Sequence, residues 1–274
     1  MILTALAVGA LIGLVVGALG AGGGILSVPA LIYLLGVAPH EATSASLVIV
    51  LFTALAALGG RIGKNTICYQ IALVFAALAT VGTWLGSLAN QAVSADLLMY
   101  AFALLLACVG LVMLRRAYVS SNDGAAAADD AGGTGSTPAL RAVSAMGEVT
   151  SIGAAPLWRV ALVATITGAL TGFFGVGGGF AIVPALTLVL HLPIKRAAST
   201  SLLIMTITAV VALVARAQTS LNLDLGVIGA FTVASMLGAV AGAPLTRKVS
   251  SQKLTASFAA LLLAVAVATL VGQG

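Results

Sequence analysis

Long uncharged segments restrict the fold of this chain more than any other feature. Residues 1–40 and 160–194 contain no Asp, Glu, Lys or Arg, and of all 274 residues 61% are hydrophobic and only 7% are charged. A soluble domain carries roughly 25% charged residues, so this chain cannot cover a water-facing surface. A soluble enzyme, a disulfide-stabilised domain and a disordered protein are therefore excluded, and the sequence predicts a membrane protein.

The net charge of +5 does not indicate a nucleic-acid partner. The basic residues are few and scattered between apolar runs, without a basic face interleaved with aromatic residues. No carboxylate lies within an apolar segment, where a proton relay or a cation site would place one, so a cation carrier is disfavoured. The sequence has no motif for a metal or a cofactor, and we predict neither.

An internal duplication divides the chain into two copies of one unit. Residues 17–24, with the sequence GALGAGGG, recur as GFFGVGGG at residues 172–179, and each is followed four residues later by VPAL. The same offset continues for more than forty residues and resumes after one inserted residue. Equivalent pairs include Ser44/Ser199, Ser46/Ser201, Thr53/Thr208, Arg61/Arg216, Gly82/Gly238 and Gly86/Gly242.

The duplication predicts two transmembrane repeats, residues 1–118 and 157–274, joined by a flexible cytoplasmic linker at residues 119–156. Each repeat contains five apolar segments, of which most approach the ~20 residues that cross a membrane. The second segment of each repeat is short, which favours a half-helix or a re-entrant piece. The segments are 2–19, 25–38, 42–59, 69–89, 97–114, 158–174, 180–191, 197–215, 225–243 and 254–271.

The distribution of basic residues predicts the topology, because cytoplasmic loops carry the excess of Lys and Arg. With five segments per copy, 11 of the 12 basic residues face one side and only Arg216 faces the other. If each short segment is merged into the preceding one, the 12 basic residues divide less clearly, with 7 on one side of the membrane and 5 on the other. We therefore predict an all-α polytopic membrane fold of two inverted-topology repeats, with both termini outside. Such repeats are typical of secondary transporters, in which one repeat rocks against the other.

The two glycine clusters are the strongest local signal. Clustered glycines break a helix, and irregular backbone at membrane depth must face protein or a water-filled cavity. The helix that begins after each break presents free N–H groups that suit an anion; the alternative is close helix packing through small residues. Valine at Gly23 or Gly178 should therefore abolish transport and leave a folded protein. The predicted binding glycines are Gly20, Gly22, Gly23, Gly24, Gly175, Gly177, Gly178 and Gly179.

Serine residues at the start of the third segment of each repeat complete the predicted binding site. Ser44, Ser46, Ser199 and Ser201 either cap the helices there or donate their hydroxyl groups to a small oxyanion.

Two equivalent pairs are candidates for the transport pathway. Arg61 and Arg216 either extend to the membrane interface by snorkelling, the preferred interpretation, or attract anions to the two mouths of a pathway. Pro29 and Pro184 lie one turn into the short segments and either kink them or free a carbonyl group for a ligand.

Two copies of G-x-x-G-x-G-G-G followed by V-P-A-L, in a chain this apolar, resemble the sulfite exporter TauE/SafE family of permeases. The resemblance covers nearly the whole chain outside the linker. It implies a transporter, not an enzyme, that moves a small anion such as sulfite or an organosulfonate across the bacterial inner membrane by alternating access. A passive anion channel is the alternative. The implied partners are this anion and membrane lipid, and a homodimer is left open.

Overall fold

The structure, a computed structural model, describes seven stretches of the chain, and within them every regular element is an α-helix. The predicted all-α fold is confirmed, and each of the ten predicted apolar segments corresponds to a helix. The described residues are 2–19, 24–61, 67–122, 157–190, 192–216, 225–242 and 251–271. The helices are α1 (Ile2–Leu19), α2 (Gly24–Tyr33), α3 (Pro39–Gly59), α4 (Tyr69–Ala92), α5 (Ala95–Asn122), α6 (Leu157–Phe174), α7 (Gly179–Leu188), α8 (Ile194–Ala215), α9 (Leu225–Gly242) and α10 (Ser251–Val271).

The helices fall into long and short classes. Helices α3, α4, α5 and α8 are long and apolar enough, by length and composition, to cross a membrane. Helices α2 and α7 have 10 residues each, which is about 15 Å of rise and half of a hydrocarbon core. Each contains its proline, Pro29 or Pro184, and continues beyond it. Helix α2 ends earlier than the sequence predicted, because Gly36 turns the chain with φ +67°.

Two pairs of helices pack with their backbones in contact. A Cβ atom on Gly9, Gly13 or Gly17 of α1 would overlap the carbonyl group of a residue in α9, at positions that advance in step along both helices. Helices α1 and α9 are therefore parallel. Helices α4 and α6 pack in the same way, through Gly82 and Gly86 on one side and Gly168 and Gly172 on the other. Glycine at every fourth position lets the backbones approach this closely.

These pairs join one helix from each repeat, so the repeats exchange a helix. Helices α1, α2, α3 and α9 contact one another and form what we name the first bundle. Helices α6, α7, α8 and α4 make the equivalent contacts and form the second bundle. Each bundle therefore consists of the first three helices of one repeat and the fourth helix of the other.

The fifth helices of the two repeats, α5 and α10, pack against each other. Their apolar residues, including Phe102 and Phe258, form one hydrophobic cluster with residues of both half-helices, such as Ile25 and Val183. The two half-helices are consequently held against the same α5–α10 pair, and their N-terminal ends lie at the contact between the bundles.

Candidate functional site

The two half-helices begin next to each other. Gly24, the first residue of α2, lies so close to Val176 that a Cβ atom on Gly24 would overlap the Val176 carbonyl oxygen. Residue Val176 belongs to the second glycine cluster, three residues before α7 begins. Of the first cluster, Gly20, Gly22 and Gly23 lie outside the described residues. We name the meeting of Gly24 with Gly175–Gly179 the glycine junction.

The second glycine cluster has a backbone that only glycine adopts without strain. Gly175, Gly177 and Gly178 have φ of +63°, +68° and +69°, in the left-handed region. A Cβ atom on Gly175 would overlap the Thr43 carbonyl oxygen, and one on Gly177 would overlap the Val50 side chain of α3. The cluster is thus fitted closely against the first bundle.

Backbone N–H groups of the glycine junction are available to a ligand. Among the described residues, none accepts a hydrogen bond from the N–H of Gly177 or Gly178. Helix α7 starts at the next residue, Gly179, so its partial positive charge adds to these donors. Donors beside a helix N-terminus are the kind of group that the sequence predicted for an anion site.

Arg216 connects the two bundles at one end of their contact. The residue follows α8 and is only 2% exposed. Its Nη1 atom donates to Thr43 Oγ1 and Ser44 Oγ of α3, both at 3.0 Å, and its Nη2 atom donates to the Gly172 carbonyl oxygen at the end of α6. No carboxylate in the part of the chain that the structure describes pairs with this guanidinium.

Arg61 makes the equivalent connection at the other end. It follows α3, is 6% exposed, and donates from Nη1 to Ser199 Oγ of α8 at 2.9 Å. Its Nη2 atom donates to the carbonyl oxygen of Gly17, in the last turn of α1. Each arginine thus donates to hydroxyl oxygens of the opposite bundle and to a carbonyl oxygen at the C-terminal end of a helix in its own bundle. This end of the helix carries the negative partial charge of the helix dipole.

Burial of both arginines shows that the snorkelling interpretation is wrong. A snorkelling side chain extends its charged head to water, whereas the guanidinium groups of Arg61 and Arg216 are enclosed between helices. The guanidinium groups stay between the helices because equivalent positions of the other repeat supply hydroxyl acceptors. The sequence of the repeat that contains each arginine cannot show this contact, because the hydroxyl acceptors lie in the other repeat.

The serine clusters also differ from their predicted use as donors to an anion. Ser44 Oγ donates to the His40 carbonyl oxygen at 3.2 Å, and Ser199 Oγ donates to the Lys195 carbonyl oxygen at 3.1 Å. Both hydroxyl groups therefore present their lone pairs to an arginine. Ser201 Oγ likewise donates within its own helix, to Ala198 O at 3.0 Å.

Ser46 links the first bundle to the glycine junction. Its hydroxyl group contacts the carbonyl oxygens of Thr43, at 2.9 Å, and of Gly175. Apart from Ser201, the described glycines, serines and arginines of the predicted site thus lie in three places along the contact between the bundles. The glycine junction and Ser46 form one, Arg61 with Ser199 forms the second, and Arg216 with Ser44 forms the third.

The two arginine clusters lie at opposite ends of α3. Arg61 follows its C-terminus and Arg216 contacts its first turns, so the clusters are roughly 25 Å apart along the helix axis. The same contacts place the N-terminal end of α8 at Arg61 and its C-terminal end at Arg216. Helices α3 and α8, which are equivalent in the two repeats, therefore run antiparallel.

Several polar residues near Arg216 were missed by the sequence analysis. Asn90 of α4 donates from Nδ2 to the Phe173 carbonyl oxygen at 2.7 Å, and its Oδ1 lies 3.5 Å from His40 Nδ1. Ser87, one turn earlier in α4, is fully buried. A hydroxyl group inside an apolar segment and an amide just beyond its end were the available signal, because polar groups at membrane depth are costly. Within the described stretches, no three His, Cys, Asp or Glu side chains come together to hold a metal ion.

The fold and site together define a polytopic helical membrane protein built from a duplicated unit. The sequence model of the family "Sulfite exporter TauE/SafE" matches residues 5–269, and the chain belongs to this family. Over 262 residues it is 32% identical to a "Probable membrane transporter protein" of Xylella fastidiosa strain 9a5c, covering 94% of this chain and 91% of that protein.

A second relative is the "Probable membrane transporter protein YunE" of Bacillus subtilis strain 168. It is 28% identical over 209 residues, which cover 72% of this chain and 71% of that protein. No solved structure matches the chain at a significant level. The family and these relatives establish the chain as a membrane transporter.

Alanine at Gly178 tests the glycine junction more sharply than the valine predicted from sequence. The added Cβ atom would overlap Thr171 Oγ1. In addition, alanine adopts the left-handed backbone of this position only with strain. We expect transport to fall by about tenfold or more. Alanine at Gly36 is the matched control, because Gly36 has φ +67° but no atom within 4 Å of the added Cβ. Equal transport rates for the two variants would contradict a role for the junction.

Proposed function

We propose that the chain is a secondary transporter that moves a small oxyanion, sulfite or an organosulfonate, across the bacterial inner membrane by alternating access. The observation that carries the proposal is the meeting of two half-helix N-termini between two buried arginines. All of these groups lie where one bundle contacts the other. Helix N-termini and guanidinium groups both attract anions, so the contact between the bundles is the proposed pathway.

Helix directions support the predicted inverted topology. The topology predicted with five segments per repeat directs α1 and α9 both toward the cytoplasm and α4 and α6 both away from it. It directs α3 and α8 in opposite directions. Each of these relations agrees with the observed contacts. Merging the short segments would make α3 and α8 parallel. We therefore place Arg216 at the outer end of the pathway and Arg61 at the cytoplasmic end.

The packing favours the bundles, rather than the repeats, as the units that move. Glycine pairs join α1 to α9 and α4 to α6, so two repeats that rocked against each other would break the closest contacts in the protein. By contrast, the two bundles meet mainly through α3 and α8. Separation at one end would release the hydrogen bonds of one arginine and leave those of the other intact. We propose that the two clusters open in turn and admit the anion to the glycine junction from alternate sides.

Transport by purified protein in proteoliposomes tests this function. We expect radiolabelled sulfite to accumulate by counterflow and to saturate with concentration, and we expect no unitary current in a planar bilayer. Unitary currents would favour the passive anion channel instead. A protein that moves neither sulfite nor an organosulfonate would contradict the proposal.

Cys68 is a native reporter for opening at the cytoplasmic end. Its backbone N–H donates to Thr200 Oγ1 at 3.1 Å, next to the Ser199 that Arg61 contacts, and its side chain is partly exposed. In a Cys108→Ser background, we expect Arg61→Gln to speed labelling of Cys68 by an impermeant maleimide about tenfold. Arg216→Gln should slow it, because it favours opening at the other end. Faster labelling in both variants would contradict alternating access.

A further inference from the structure

Two buried polar atoms near Gly172 have no hydrogen-bond partner among the residues that the structure describes. They are Nε of Arg216 and Oγ of Ser87, on residues that are 2% and 0% exposed. Arg216 Nη2 donates to the Gly172 carbonyl oxygen, and a Cβ atom on Gly172 would lie 2.9 Å from Ser87 Oγ. Both atoms therefore border the same residue in the second bundle. Burying a donor without an acceptor is unfavourable, so both atoms gain free energy when they donate to a ligand.

The guanidinium of Arg216 donates to protein acceptors through both Nη atoms and leaves Nε unpaired. Its Nη1 atom bonds Thr43 and Ser44, and its Nη2 atom bonds Gly172, whereas Nε bonds nothing. The edge formed by Nε and Nη2 is one that binds two oxygens of an oxyanion at once. The Ser87 hydroxyl group is a donor for a further oxygen. An anion could occupy this edge while the contacts with Thr43 and Ser44 persist.

The second repeat lacks these side chains at the equivalent positions of its sequence. At the positions equivalent to Thr43, Ser87 and Asn90 the second repeat has Ala198, Ala243 and Thr246. The amide of Asn90, which holds the Phe173 carbonyl oxygen at the end of α6, is therefore replaced by a hydroxyl residue. The internal symmetry of the fold is broken at the side chains that surround Arg216.

We propose that Arg216 Nε and Ser87 Oγ form a binding site for an oxyanion with at least three oxygens, and that the cytoplasmic end of the pathway has no equivalent site. The proposal rests on the proposed transport function and names the residues that hold the anion at the outer end. Two oxygens lie on the guanidinium edge and the third accepts from Ser87. A carboxylate, with only two oxygens, cannot use the serine in this way.

Ser87→Ala in the full-length purified protein tests the site, because it removes a hydroxyl group that bonds no atom in the described part of the chain. We expect the affinity for methanesulfonate, measured by titration calorimetry, to fall about tenfold, and that for acetate to change less than about twofold. The matched control is Thr83→Val, one turn earlier in α4, whose hydroxyl group is already bonded to Ala79 O at 2.9 Å. It should retain the affinity for both anions.

The outcomes separate this inference from the proposed function. If the wild-type protein transports sulfite and Ser87→Ala binds methanesulfonate unchanged, the site is overturned while the function stands. If the wild-type protein neither binds nor transports these anions, the function itself fails. Ser87→Cys, which keeps the size but donates weakly, should show the same loss as alanine. A loss confined to alanine would indicate a packing defect and would overturn the site.

Discussion

Glutamine at Arg216 is expected to lower the initial rate of sulfite transport in proteoliposomes by about 100-fold or more. The side chain makes three hydrogen bonds from a buried charge, and a bond to a charged group contributes roughly 1.5–3 kcal/mol. Glutamine cannot bridge Thr43, Ser44 and Gly172 together, and it removes the positive charge that we propose attracts the anion. At about 1.4 kcal/mol per factor of ten, loss of two bonds accounts for this effect.

Arg196→Gln is the matched control for this prediction. Arg196 lies in the first turn of the same helix, α8, and its side chain is exposed. Removal of its charge should change the rate by less than about twofold. Size-exclusion profiles of both variants should match the wild-type protein. A folded Arg216→Gln protein that transports at the wild-type rate would refute the role of this arginine.

Leucine at Gly238 is expected to prevent α1 and α9 from pairing and so to destabilise the fold. A Cβ atom at this position would overlap the Ala10 carbonyl oxygen and crowd the Leu14 nitrogen. Backbone atoms cannot move aside as a side chain can, so the two helices must separate. We expect the midpoint of thermal unfolding in detergent to fall by about 10 °C or more, with loss of the monodisperse protein peak.

Gly229 provides the comparison, because it lies in the same helix and a Cβ atom there would have no neighbour within 4 Å. Gly229→Leu should unfold within a few degrees of the wild-type protein. Equal destabilisation by the two variants would mean that helix propensity, rather than the contact with α1, accounts for the effect.

Hydropathy alone predicted the helices well, because a chain in lipid must form the hydrogen bonds of its backbone N–H and C=O groups within each segment. The observed helices begin within about three residues of the predicted segments. The predicted C-terminal ends of the helices were less accurate where an apolar turn follows the helix, as at Gly36. Hydropathy does not distinguish such a turn from the helix before it. The short second segments and their positions after the glycine clusters were also predicted correctly.

The partners of these helices could not be predicted, because each bundle takes its fourth helix from the other repeat. For the same reason the burial of Arg61 and Arg216 was missed, since their hydroxyl acceptors lie about 140 and 170 residues away in sequence. The glycine spacing in α1 and α6 was a signal for close packing, yet it does not say which helix packs there. Long-range contacts of this kind depend on the three-dimensional arrangement of both repeats.

The exchange of helices has a consequence for how such a protein can be made. One repeat synthesised alone would present the glycine faces of its first and fourth helices to acyl chains, with nothing to cover them. With the inverted topology that we propose, a single-copy polypeptide could complete both bundles only by inserting in both orientations in equal amounts and associating in pairs. Fusion of the two copies into one gene removes that requirement, because every molecule then carries one unit of each orientation in a fixed one-to-one ratio.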